Sequence, residues 1–118
     1  MAASVISISA MSFDAKSIVN QGGQSSQLTV FFHVFRRGFA HVAGIILSTN
    51  GWGSRQEVPA RFDHFEGDIE VWKTTFSVGG TGATFAFVCW CEDYADIDNI
   101  RKIWNTNGGN QYFVTAKF

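Results

Sequence analysis

Gly79-Gly80-Thr81-Gly82-Ala83-Thr84-Phe85-Ala86-Phe87-Val88-Cys89-Trp90-Cys91 is the run whose reading decides the fold class. The glycine-rich Gly79–Gly82 breaks any regular element before it. The Ala83–Cys91 segment that follows is rich in Phe, Val and Trp and carries no charge, which describes a buried strand. The same grammar extends in both directions. Val5–Ser9 alternates apolar residues with Ser, Leu28–Phe35 is apolar on both faces and reads as a central strand, and Phe39–Ser48 is a third strand. Thr49–Gly53, centred on Asn50-Gly51, is a turn; Gln56–Phe62, Asp68–Val78 and Tyr112–Lys117 are further strands. Gln21–Ser26 reads as a polar loop, and Asp93–Arg101 as a polar loop or one helical turn. Pro59 belongs on an edge strand, where no ladder donor is required. The expectation is an all-β chain, an immunoglobulin-like antiparallel β-sandwich of about eight strands, forming one domain over residues 1–118.

Composition narrows the function. With 118 residues, 46% hydrophobic and 16% charged, the chain has enough apolar surface for a core without disulfides or metal. The formal net charge is −1 and the basic doublets Arg36-Arg37 and Arg101-Lys102 are isolated. Nucleic acid and anionic membranes are therefore not the expected partners. Cys89 and Cys91 lie two apart on one strand face, as core thiols, and suit a reducing compartment. The start lacks a basic n-region and a continuous apolar h-region, so a cytoplasmic location is expected. His33, His41 and His64 are dispersed, and Asp93, Asp96 and Asp98 lack the glycine turn of a calcium loop. No metal or cofactor is expected. There is neither a Gly-x-Ser-x-Gly elbow nor a phosphate loop, and an enzyme is not expected.

The functional signal lies in Trp104-Asn105-Thr106-Asn107-Gly108-Gly109-Asn110-Gln111-Tyr112. Amides supply neutral donors and acceptors, and aromatic rings supply a flat apolar face. A sugar ring, with polar edges and C–H faces, matches both. On residues alone the stretch reads equally well as a hairpin turn, because Asn-Gly is a strong turn signal.

The stretch resembles a signature of carbohydrate-binding module family 21, the starch- and glycogen-binding domains of fungal glucoamylases and glycogen-targeting phosphatase subunits. That signature runs Trp/Tyr-Asp-Asn-Asn-x-Gly-x-Asn-Tyr. Phe39–Trp52 is similar to a second family pattern that ends in tryptophan, and Glu57–Phe62, Ile69–Trp72 and Ala86–Trp90 follow in the family's order. The likeness extends from about Phe39 to Tyr112. Asn50 and Asn105 stand where the family has Asp. The resemblance implies a binding site at Trp52, Phe87 and Trp104, with amides at Asn105, Asn107 and Asn110. Tyr112 would hold the loop in shape while Asn107 makes contact. A second site would fall at Phe39 and Phe62, with Ile69 replacing a ring. If Ala86, Val88 and Trp90 face the core, Phe87 faces outward; a shift of one residue reverses this.

These readings converge on a non-catalytic, lectin-like protein that binds an oligosaccharide or a glucan polysaccharide such as starch or glycogen. Two indole surfaces, Trp52 and Trp104, are expected side by side. Polymeric ligand or homo-oligomerisation would supply avidity. The alternative is a targeting module that tethers a protein partner to glycogen. The Lys/Arg-Val-x-Phe docking motif of the phosphatase-targeting relatives has no counterpart, since Thr29-Val30-Phe31-Phe32 lacks the basic residue.

Overall fold

The computed structural model describes residues 7–35, 40–67, 69–93, 98 and 100–118. Among these, nine strands run in chain order: β1 Ser7–Asn20, β2 Gly23–Phe35, β3 Ala40–Ser48, β4 Gln56–Pro59, β5 Arg61–Glu66, β6 Ile69–Gly79, β7 Thr84–Asp93, β8 Arg101–Asn105 and β9 Tyr112–Thr115. They form two antiparallel sheets. One has the order β1-β2-β6-β5, and the other β4-β3-β7-β8, with β9 also paired to β7. The all-β sandwich expected from the sequence is present, with nine described strands rather than about eight.

Between the sheets lie Leu28, Val30, Phe32 and Val34 of β2, Ala43, Ile45 and Leu47 of β3, Phe85, Phe87, Cys89 and Cys91 of β7, and Trp72 of β6. Each set repeats every second residue, as a pleated strand with one face inward requires. Burial pushes the Cys89 thiol up to about 12, so it stays protonated and inert.

β1 runs well past the expected Val5–Ser9, and β8 is a strand where none is expected; two further differences have identifiable reasons. Gln21–Ser26 is not a loop: β1 and β2 continue to a tight turn, with Asn20 opposite Gly23. Within it Ser26 points inward, as does Ser17 opposite it on β1. Ser26 Oγ donates to the Gly80 carbonyl at 3.0 Å, and Ser17 Oγ accepts from Gly82 N at 2.9 Å. They hold the glycine turn before β7 in place. The expected Gln56–Phe62 strand is instead two strands in different sheets. Pro59 ends β4 at the edge of the second sheet, Ala60 N bonds to the Ala43 carbonyl at 2.8 Å, and Arg61 starts β5 in the first. Among the described residues no helix is long and apolar enough to cross a membrane.

Candidate functional site

The parity of β7 decides which side chains reach solvent. Phe85, Phe87, Cys89 and Cys91 face the core, which turns Ala86, Val88 and Trp90 outward. Phe87 is therefore not a surface ring. It is fully buried, stacked on Tyr112 with centroids 5.4 Å apart and met edge-on by Phe13 at 5.2 Å. Because β7 is apolar on both faces, its hydrophobicity could not reveal this alternation.

Opposite Trp90 on β8 stands Trp104, 46% exposed on the same outward face. Trp90 faces outward too, although it is buried, because its ring lies across Gly44 of β3. A Cβ at Gly44 would come within 3.0 Å of Trp90 Cζ2 and 2.6 Å of the Val58 carbonyl oxygen. Glycine is what lets the indole lie flat. Lys102 Nζ sits 4.1 Å from the Trp90 ring centre and 5.5 Å from that of Trp104, completing a cation–π cluster.

β9 pairs with β7 further along the same edge, with Tyr112 opposite Phe87 and Phe113 opposite Ala86. Tyr112 thus turns inward and Phe113 outward, where it is 58% exposed. The ring that shares Trp104's face beyond the loop is Phe113, which the sequence reading passed over. Its only signal was the alternation Tyr112, Val114, Ala116 against Phe113, Thr115.

Residues 106–111 bulge from the edge between the two strands. Asn107 and Gln111 adopt φ 54 and 55, with Gly108 and Gly109 also left-handed between them. Asparagine tolerates this conformation better than most side chains. The loop is closed by its own amides. Asn107 Nδ2 donates to the Gln111 carbonyl at 2.9 Å, and Gln111 Nε2 to that of Gly109 at 2.9 Å. Asn105 anchors the base: its Nδ2 donates to the Ile8 carbonyl of β1 at 3.0 Å, and its Oδ1 accepts from Asn107 N and Tyr112 Oη at 3.1 and 2.9 Å. Asn105 and Tyr112 thus support the loop. Asn110 is exposed, and its side chain has no hydrogen-bond partner among the described residues. Tyr112→Phe, which removes a half-buried hydroxyl from Asn105, is expected to cost about 1 kcal/mol in urea denaturation.

Trp52 stands elsewhere. It lies in the β3–β4 turn, 36% exposed, with the left-handed φ of 68 that a bulky residue rarely adopts. Outward Ser48 Oγ accepts from Trp52 N at 2.9 Å and donates to Asn50 Oδ1 at 2.8 Å. Asn50 also bonds Ser54 through both amide atoms, at 3.0 Å each, so it builds the turn. Ser48 pairs with Ala86, four residues along β7 from Trp90. Standard strand spacings put that rung about 14 Å along and two strands, about 10 Å, across from Trp104. The expected side-by-side indoles are not found. On the outward face, Ile46 and Val88 lie between the Ser48–Ala86 rung and that of Trp104.

Of the second expected site, Phe39 lies outside the described residues. Phe62 is exposed on edge strand β5, 4.7 Å between centroids from exposed Phe65 and edge-on to Trp72 at 6.0 Å. Beside them, the hydrogen bonds that the His64 ring donates to the Asp63 and Glu66 carboxylates raise its pKa.

No protein-family model and no curated protein matches the sequence. Among solved structures, the carbohydrate binding module of the muscle glycogen-targeting subunit of Protein Phosphatase-1 aligns with a TM-score of 0.59 at 16% identity, over 93% of this chain and 76% of that one. The chain is similar in fold to a carbohydrate-binding module. At this identity the likeness concerns architecture alone.

Proposed function

We propose that the chain is a non-catalytic carbohydrate-binding protein that takes a glucan polymer such as glycogen or starch on the outward face of its second sheet. The observation that carries this reading is the exposure of Trp104 and Phe113 on one face, either side of a loop whose Asn110 amide is unengaged. Rings would stack on sugar C–H faces, while Asn110 and the free Oδ1 side of Asn107 orient hydroxyls. Trp52 would meet a neighbouring unit of an extended chain, which its separation from Trp104 suits better than one shared monosaccharide. Each hydrogen bond adds only about 1 kcal/mol net, so a single sugar should bind weakly and a polymer well.

The test is binding to glycogen, amylose and a broad glycan array. Saturable binding to glucans is the expected result; a stable, folded protein that binds no glycan in any format would end the proposal. Trp52→Gly adds a sharper check. Glycine relieves a left-handed residue worth roughly 1 kcal/mol, so thermal stability should hold or rise while polymer affinity falls. A variant that loses stability and keeps full affinity would remove Trp52 from the site.

The tethering alternative has the neighbour's origin in a targeting subunit in its favour. Against it, Val30 and Phe32 of the nearest motif-like segment are buried in the centre of β2.

A further inference from the structure

Arg61 and Lys73 face one another directly across the β5–β6 ladder. Opposed residues in an antiparallel pair bring their Cβ atoms to about 4.5–5.5 Å, where like charges destabilise the sheet. Neither side chain has an ion pair or hydrogen bond to another described residue. The carboxylates further along β5 are engaged elsewhere: Asp63 and Glu66 hold the His64 ring at 2.6 and 3.0 Å. Lys73 Nζ lies 5.4 Å from the centre of the Phe31 ring, a contact that leaves its charge uncompensated.

The two cations line a cleft of about 340 Å³ together with Pro59, Thr74 and Thr75. The chain's change of sheet creates this space. β4 ends at Pro59, and β5 pairs with β6 only as far as Lys73, so β6 from Thr74 onward has no ladder partner on that side among the described residues. The Thr74 hydroxyl donates to the Pro59 carbonyl at 3.1 Å and pins the crossover. Thr75, two residues beyond Lys73, is on the same strand face and exposed. The cleft thus gathers a guanidinium fork, an ammonium and a hydroxyl, with no acid on its walls. Such a donor set complements a tetrahedral oxyanion, with the fork taking two oxygens and the ammonium acting as a point charge.

We propose that this cleft binds phosphate or sulfate, free or as a monoester on a larger ligand. The site is separate from the aromatic face, and the inference does not rest on glucan binding. Binding would cancel the Arg61–Lys73 repulsion, so the anion stabilises the folded state by mass action.

The test is a titration of the ¹⁵N-labelled protein with sodium phosphate and sodium sulfate, against sodium chloride at matched ionic strength. Saturable shifts centred on Arg61, including its Nε–H, and on Lys73 and Thr75 are expected. Arg61→Gln and Lys73→Gln should each weaken the apparent affinity by about tenfold. Melting in chloride separates a built site from a structural role. There Lys73→Gln should melt at or above the wild-type temperature, because a repulsion is removed, while at any one phosphate concentration the anion should raise the wild type more than the variant. A further arm compares glucose 6-phosphate with inorganic phosphate: tighter binding assigns the site to an ester, equal binding to the free ion. Shifts that grow linearly and spread over lysines and arginines generally would overturn the proposal, as would unchanged saturation in both variants.

Discussion

Phe87→Ala is expected to destabilise the fold by about 3–5 kcal/mol, the range for truncating a large ring in a packed core. Phe87 is fully buried and carries the stack on Tyr112 and the edge contact from Phe13. Truncation would open a cavity beneath β9 at the foot of the Asn-rich loop. Neighbouring rings are fixed by their own strands and cannot collapse freely into the gap. Urea denaturation measures the effect, and the midpoint should fall while the m-value stays constant. A loss below about 1 kcal/mol would mean that Phe87 is a surface residue after all, as the opposite strand parity requires. Any fall in glucan affinity should accompany the loosened loop, because Tyr112 holds Asn105 through its hydroxyl.

Trp104→Ala should show the reverse pattern: affinity for glycogen and amylose down by about ten- to a hundredfold, with stability nearly unchanged. The affinity range corresponds to the ~1.5–3 kcal/mol released when a large apolar side chain is covered. Nearly half of the Trp104 side chain faces water in the free protein, so little core packing is lost. Its contact with Lys102 is lost as well, but that ammonium keeps its closer position over Trp90. Affinity electrophoresis through glycogen-containing gels, run beside urea denaturation, separates the two quantities. Phe62→Ala serves as the control for the aromatic patch on β5. If Phe62→Ala abolishes binding and Trp104→Ala does not, the glucan lies on the first sheet and the proposed face is wrong.

The amides divide in a way that residue type does not disclose. Asn105, Asn107 and Asn110 look equivalent in the sequence, yet Asn105 ties β8 to β1, Asn107 closes the loop with its Nδ2, and Asn110 remains unengaged among the described residues. Left-handed backbone at Asn107 and Gln111 sorts them, since it fixes where each side chain starts. Similarly, Asn50 serves the backbone: its amide bonds Ser48 and Ser54 and forms the Trp52 turn.

Local chemistry determined a good deal by itself. β-branched and aromatic runs separated by glycine turns specified strands and the single proline marked an edge, while the Trp104–Tyr112 stretch read equally as a ring-and-amide surface or a hairpin turn. These depend on backbone freedom and side-chain shape, which each residue carries with it. Tertiary structure alone decided which side of each strand meets water. Outward Trp90 is hidden by lying on Gly44, inward Ser17 and Ser26 are hidden by bonding a distant glycine turn, and Phe113 rather than Tyr112 reaches the surface. The physical reason is the two-residue period of a strand. Where both faces are covered, hydrophobicity no longer distinguishes them, and pairing with other strands fixes the parity.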